Sequence, residues 1–350
     1  MKILIIQQKY IGDVLRSSIL CDNLKKWNNK CSIDFIVNDF TIDVISENPN
    51  IDNILIFKKE FKYNYIQFIK FLFSVRRTKY DYVIDCYSKI ESNLISLFSN
   101  SRNRISYYKW YTNFIYSKTV KRFKKSDSYI ELSVKNRIEL IKPIIGNDFS
   151  YEYFNKIYLN KIEVNFFKKK LQSLTKNNKK NILINLLGST PQKSYPINEM
   201  VKFIDFISNK IDCNIILNYM LNQDLIINEI VDKLEKKTFE NVIDYVPKTL
   251  KEYIYIANES DAVLGNEGGA INIAKALSKA TFAIFSPMIQ TKGWHSKNVS
   301  NQLAVHLQDY FPELFYNKQS NYIIKNNRQL YNKFKFDLFK EKLDLFLKVI

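Results

Sequence analysis

The sequence predicts an α/β protein made of two Rossmann-like domains. Short apolar runs alternate with helical patterns along the chain, an order typical of parallel sheets. With 350 residues, of which 46% are hydrophobic, the chain can bury two separate cores. Five of its seven glycines fall where an apolar run gives way to a helical pattern, namely Gly12, Gly188, Gly265, Gly268 and Gly269. In open α/β sheets such turns lie at the carboxyl ends of strands, where ligands bind.

The first domain is predicted to begin with a buried strand followed by a helix that opens at Gly12-Asp13. The other predicted elements are strands at 33–37, 51–57 and 82–85, and a short helix at 41–46. The hydrophobic pattern between residues 99 and 120 is weaker, and no helix or strand is assigned there.

The domain boundary is predicted just before or within Lys169–Lys180, the most polar and turn-prone stretch in the middle of the chain. We therefore expect domains at 1–165 and 166–325, with an amphipathic helix within 326–350 that packs back on the first domain. The predicted elements of the second domain are strands at 181–187, 214–217, 241–243, 262–264 and 281–285, and helices near 198–207, 224–233, 250–257 and 271–277.

The segment from Ala262 to Pro287 reads as strand, glycine turn, helix and strand, which is a βαβ unit. Glycines beside a helix N-terminus let a ligand approach the backbone, where unpaired N–H groups favour an anion such as a diphosphate. Alternatively, Gly268 and Gly269 only shape a tight turn. A short glycine motif does not decide between these readings.

The formal net charge of +18 fits nucleic acid, an anionic membrane surface or a phosphorylated substrate as partner. Because the lysines are scattered and no RNA-binding signature is present, we do not expect nucleic acid to be the partner. The four cysteines have no ligand-like spacing and are predicted to be buried free thiols. No apolar run reaches the roughly 20 residues that span a bilayer, so we expect a cytoplasmic protein.

The stretch from Phe61 to Arg77 is a basic, aromatic helical pattern with two readings. Such a helix can lie in a membrane interface. It can also be an ordinary helix that covers the sheet, which its buried-type stripe of Phe68, Phe71, Leu72 and Val75 favours.

Four separated motifs together resemble glycosyltransferase family 9, the ADP-heptose:lipopolysaccharide heptosyltransferases. They are MKILIIQQKYIGDV at the N-terminus, YDYVID at 80–85, GSTPQKSYP at 188–196 and the segment 262–287, in the family's order. The resemblance implies the GT-B architecture, in which two Rossmann-like domains face each other across a cleft. It also implies an ADP-linked nucleotide-sugar donor, a lipid-linked glycan acceptor and attachment to the inner face of the cytoplasmic membrane.

The resemblance also implies roles for single residues. Asp13 would be the general base that deprotonates the acceptor hydroxyl, which gives inversion at the anomeric carbon; otherwise it only favours the helix start. Ser189, Thr190 and Lys193 would hold the donor diphosphate, with backbone donors from Gly268 and Gly269.

Three positions depart from the family pattern and bear on the donor. Glu267 replaces the usual Asp, Asn272 the usual His, and Gln223 the usual Glu, so the fit to sugar and base is expected to differ. The sequence has no Asp-x-Asp pair and only two histidines, and we expect neither a metal nor a separate cofactor. Two other functions stay open: another GT-B enzyme such as a nucleotide-sugar epimerase, and a non-catalytic module that binds anions or RNA.

Overall fold

The chain divides into two compact units, Met1–Tyr158 and Leu159–Ile350. The computed structural model describes residues 1–124, 130–176, 178–219, 224–295 and 299–350. Each unit contains one parallel sheet, so the predicted class of two Rossmann-like α/β domains is confirmed. The division falls slightly before the expected boundary after residue 165, and the helix that spans this boundary belongs to the second unit.

The first unit begins with the predicted strand and helix. Its elements are β1 (Lys2–Ile6), α1 (Ile11–Trp27), β2 (Ser32–Asn38), β3 (Asn53–Phe57), α2 (Tyr65–Arg77), β4 (Tyr82–Asp85), α3 (Ile90–Phe98), β5 (Asn103–Tyr107), β6 (Lys118–Val120), α4 (Leu132–Glu139) and α5 (Lys142–Ile145). The segment expected as a short helix at 41–46 is a 3-10 helix at Asp39–Val44.

The first sheet has the strand order β3-β2-β1-β4-β5-β6, with every pair parallel. Its centre is fully apolar, since Ile3–Ile6 of β1 are 0% exposed, as expected for a strand covered on both faces. The order reverses between β1 and β4, which makes their carboxyl ends the switch point where open sheets bind ligands. The two strands β5 and β6 lie in the segment that showed only a weak pattern, because β5 carries Asn, Arg and Ser and β6 has three residues.

The second unit alternates strands and helices in the same way. Its elements are α6 (Lys161–Leu174), β7 (Lys180–Asn185), α7 (Ile197–Lys210), β8 (Cys213–Asn218), α8 (Asp224–Val231), α9 (Lys236–Asn241), α10 (Leu250–Glu259), β9 (Ala262–Asn266), α11 (Gly269–Ala276), β10 (Ala280–Phe285), β11 (Gln302–His306), α12 (Ser320–Lys325), α13 (Asn327–Lys333) and α14 (Lys340–Leu347).

The second sheet is also parallel, in the order β11-β10-β9-β7-β8. Here the order reverses between β7 and β9, so the turns after these two strands share the switch point. The strand predicted at 241–243 is wrong: α9 takes up Lys236–Asn241, and only an isolated bridge joins Val242 to Ile215.

The C-terminal segment differs from the prediction in shape. It is broken into α13, a 3-10 helix at Phe336–Leu338, and α14 instead of forming one helix. The break has a steric reason, because Phe334 and Phe336 are both buried and would point to nearly opposite sides of a continuous helix. Its aromatic side chains complete the core of the second unit, and its packing on the first domain stays a prediction.

All four cysteines are buried and free, as predicted. Among the described residues, no helix combines the length and the apolar character needed to cross a bilayer.

A glycine series separates two effects of a side chain on stability. Gly265 in β9 has φ +116°, and a Cβ there would lie 2.4 Å from the carbonyl oxygen of Asn185. Gly146 has φ +101° with open space around it, and Gly293 has open space and no such φ. We expect Gly265→Ala to lower the free energy of unfolding by about 2 kcal/mol, Gly146→Ala by about 1 kcal/mol, and Gly293→Ala by nothing.

Urea unfolding of the three variants measures this order. Equal losses at 146 and 265 would mean that the backbone around Asn185 relaxes and that only the dihedral angle matters.

Candidate active site

Asp13 lies in the first turn of α1, the helix that follows the loop after β1. As an acid in the first turn of the helix it also favours the helix start. Its carboxylate pairs with two cations. One oxygen lies 3.3 Å from Lys9 Nζ, and the other lies 3.4 Å from Nη2 of Arg137.

Arg137 is a buried guanidinium that reaches Asp13 from α4. It donates to Ser17 Oγ at 2.8 Å and to the Tyr107 hydroxyl at 2.9 Å, and both contacts fix its position. Burial by itself opposes its charge, but Tyr107, Cys86 and Asp13 outweigh burial and raise its pKa. A second guanidinium, Arg122, stacks 3.8 Å from the centre of the Tyr107 ring. The surroundings of Asp13 are therefore strongly cationic.

Two further polar groups lie at the switch point of the first sheet. Gln8, between β1 and α1, is 5% exposed, and neither of its amide atoms has a hydrogen-bond partner among the described residues. A buried amide without partners is uncommon and suits a ligand hydroxyl.

Asp85 ends β4 and is the last residue of the YDYVID motif. It is fully buried and accepts hydrogen bonds from the backbone N–H groups of Tyr87 and Ser88 and from the Tyr116 hydroxyl. Burial raises the pKa of its carboxyl group, and these donors oppose that shift. Asp85 thus shapes the turn after β4.

The expected phosphate-binding residues lie in the turn after β7. Ser189 and Thr190 are exposed and Lys193 is half-buried. The Lys193 ammonium makes no ion pair with any residue that the structure describes. Gly188 is needed for the turn to close, because a Cβ there would lie 2.5 Å from the carbonyl oxygen of Lys193.

This turn is anchored to the C-terminal helices. Asn327 of α13 donates to the carbonyl of Gln192 at 2.5 Å, and the Tyr331 hydroxyl donates to that of Lys193 at 3.4 Å. Within the turn, Ser194 Oγ accepts from the N–H of Gly188 at 3.0 Å. The backbone that carries Lys193 is thereby held in one position.

Asparagines end three neighbouring strands of the second sheet and bond to one another. Asn218 of β8 donates to Asn185 Oδ1 at 2.9 Å, and Asn185 of β7 donates to the carbonyl of Asn266 at 2.6 Å. Asn266 of β9 donates to the Leu186 carbonyl at 2.7 Å and accepts from the Tyr195 N–H at 2.7 Å. These bonds tie the turn after β7 to the end of β9.

The turn after β9 leads into the N-terminus of α11. Glu267 and the two glycines are half-buried, and Gly268 precedes the first residue of the helix, Gly269. A Cβ on Gly268 would have no atom within 4 Å, so open space lies before the helix. Asn272, one turn into α11, is 8% exposed. A helix N-terminus that faces open space can receive an anion.

Tyr331 interacts both with Glu267 and with the turn after β7. Burial, and after it the charge of Glu267, raise the pKa of its phenol well above the usual value. The same hydroxyl contacts the Lys193 carbonyl, so two of the residues predicted for the donor, Lys193 and Glu267, lie near one buried tyrosine.

Two further predictions concern Gln223 and a metal ion. Gln223 lies outside the described residues. Among the described residues, no group of three or more His, Cys, Asp or Glu side chains is placed to hold a metal ion.

Sequence reasoning missed most of the residues that support the site. Arg137 is 124 positions from Asp13 and had no local signal. Asn327 and Tyr331 lie in the C-terminal segment, for which the sequence predicted no contact with the turn after β7. The asparagines end observed strands, but the sequence did not mark all of them, because Asn185 stands inside the apolar run 182–187 and Asn266 follows Gly265.

The chain thus has polar turns at the switch points of two Rossmann-like sheets, where proteins with open α/β sheets bind their ligands. The sequence model of glycosyltransferase family 9 (heptosyltransferase) matches residues 68–311. The chain therefore belongs to glycosyltransferase family 9 and is a glycosyltransferase.

Similar proteins agree with this assignment. The chain is 25% identical over 294 residues to lipopolysaccharide heptosyltransferase 1 of Campylobacter coli, covering 81% of this chain and 84% of that protein. It resembles the family 9 glycosyltransferase structure from Veillonella parvula, with a TM-score of 0.73, 13% identity, and coverage of 95% and 97%. It also resembles ADP-heptose lipopolysaccharide heptosyltransferase II of E. coli, with a TM-score of 0.70, 15% identity, and coverage of 95% and 99%.

Proposed function

We propose that the chain transfers a heptose-like sugar from an ADP-linked donor to a lipopolysaccharide core or a related glycan, with inversion. The observation that carries this proposal is the match to family 9 over both turns of the second sheet's switch point. The similar proteins include an ADP-heptose lipopolysaccharide heptosyltransferase and a lipopolysaccharide heptosyltransferase 1, which supports the donor class.

Asp13 would take the proton of the acceptor hydroxyl as that oxygen attacks the anomeric carbon. The bond from the anomeric carbon to the diphosphate breaks at the same time, and the nucleoside diphosphate leaves from the opposite face. Lys9, Arg122 and Arg137 around Asp13 suit an acidic acceptor.

The charge on the leaving diphosphate would be met without a metal. Lys193 supplies a positive charge, Ser189 and Thr190 supply hydroxyl donors, and the α11 N-terminus supplies backbone N–H groups. Glu267 and Asn272 would contact the sugar, and Gln223 is proposed to contribute to the same donor site.

We also propose that the enzyme works at the inner face of the cytoplasmic membrane, where a lipid-linked acceptor is available. The positive net charge supports attraction to anionic lipid there.

A panel of ADP-, GDP- and UDP-sugars tests the donor class by thermal stabilisation, because a ligand that binds the folded state raises the melting temperature. We expect the ADP-heptose to raise it most, and sugar transfer to a lipopolysaccharide core acceptor to follow with that donor. Stabilisation by a UDP-sugar alone would overturn the ADP-linked donor while leaving the transferase class intact.

A further inference from the structure

Helix α2 carries two apolar stripes, of which only one is covered. Phe68, Leu72 and Val75 are buried against the sheet, as the sheet-covering reading predicted. The adjoining face exposes Tyr65 at 72%, Ile66 at 70%, Ile69 at 48% and Phe73 at 50%. A surface helix normally needs one apolar stripe, so the second stripe is left without a partner.

Cations flank the uncovered stripe. Lys62, Lys70, Arg76 and Arg77 are all exposed, and none makes an ion pair with a residue that the structure describes. On a helical wheel Lys70 and Arg77 border the stripe next to Ile66, away from the buried face. Arg76 lies within the stripe, between Tyr65 and Ile69. An apolar strip with unpaired cations along its border complements an anionic bilayer surface.

We propose that this face of α2 is a docking surface for anionic phospholipid. We define the α2 docking face as Tyr65, Ile66, Ile69 and Phe73 with the cations Lys62, Lys70, Arg76 and Arg77. The apolar side chains enter the boundary between headgroups and acyl chains, and the cations contact lipid phosphates.

Helix α2 begins at the same end of the first sheet as the proposed base Asp13. The helix follows the carboxyl end of β3, and Asp13 follows the carboxyl end of β1 in the same parallel sheet. The N-terminal end of the docking face and the proposed base therefore both lie at the carboxyl ends of the strands of this sheet. This inference rests on the proposed function, since a lipid-linked acceptor gives the enzyme a reason to lie at a membrane.

The charge contribution is tested by sedimentation with vesicles of phosphatidylcholine containing anionic phosphatidylglycerol. We expect Lys70→Glu/Arg77→Glu to lower the partition coefficient at least tenfold, because each cation near such a surface attracts it appreciably. Binding of the unaltered protein should fall as salt rises. The matched control is Lys168→Glu/Lys169→Glu on α6, which changes the net charge equally with exposed lysines of the second unit.

The apolar contribution is tested at constant charge. Ile66→Gln/Ile69→Gln should lower the partition coefficient at least tenfold without changing the melting temperature, since both side chains are exposed. In a Phe73→Trp variant, lipids with brominated acyl chains should quench the new tryptophan's fluorescence beyond that of the unaltered protein.

The results separate this inference from the proposed reaction. Vesicle binding uses no sugar, and transfer to a delipidated acceptor fragment should be unchanged in the α2 variants. An equal loss in the α6 control, or no quenching at position 73, would overturn the docking face even if transfer is confirmed. A dimer in solution that Ile66→Gln/Ile69→Gln dissociates, without vesicle binding, would assign the face to a second copy of the chain.

Discussion

Asp13→Asn is expected to lower kcat by about 10²–10⁴-fold, the usual contribution of a general base. The amide keeps nearly the same shape but cannot accept the proton of the acceptor hydroxyl. Because the proposed donor residues lie in the second unit, the dissociation constant for ADP should stay within about twofold of the original. Steady-state kinetics with saturating acceptor, together with calorimetric titration of ADP, measure both quantities.

Asp39→Asn is the matched control for this substitution. Asp39 follows β2 as Asp13 follows β1, on the same edge of the same sheet, but it is exposed and no role is proposed for it. A kcat of Asp13→Asn within about tenfold of the original would remove Asp13 from the role of base. A fall in melting temperature alone would instead point to its pairing with Arg137.

Lys193→Ala is expected to weaken ADP and the ADP-sugar alike, by about 1.5–3 kcal/mol, which is the range for a hydrogen bond to a charged group. The turn that carries Lys193 is held by Asn327 and Tyr331, so loss of the side chain should leave the backbone in place. Calorimetric titration of both ligands gives the two free energies of binding.

Glu267→Ala is the comparison variant, because Glu267 is proposed to contact the sugar. It should weaken the ADP-sugar by about 0.5–1.5 kcal/mol and leave ADP unchanged. If Lys193→Ala binds ADP as tightly as the original protein, the phosphate site has been placed wrongly. If Glu267→Ala weakens ADP, the acid lies nearer the diphosphate than proposed.

The parts of the fold that the sequence predicted well are those with a strong local pattern. Ile3–Ile6 and Phe282–Phe285 are buried on both faces of their sheets, so their continuous apolar runs identified central strands. Two glycines near strand ends were equally informative, because Gly188 and Gly265 lie where a Cβ would collide with backbone. These signals also located the turn of the proposed donor site.

The elements that were missed depend on tertiary contacts. β6 has three residues and is defined by its pairing with β5, which no local pattern can show. The C-terminal segment has the sequence pattern of one amphipathic helix. Its helix is broken because Phe334, Phe336 and Phe339 are all buried in the core of the second unit. Arg137 could not be paired with Asp13, because their proximity follows from the packing of α4 on α1.

The C-terminal segment bears on the order in which the protein folds during synthesis. The first unit is contiguous, from Met1 to Tyr158, and its core is complete once that part of the chain has emerged. The second unit lacks Phe336, Phe339 and Phe346 until residues 330–347 have been made. Until then the turn that carries Lys193 also lacks its contacts with Asn327 and Tyr331, so nucleotide binding would be acquired last.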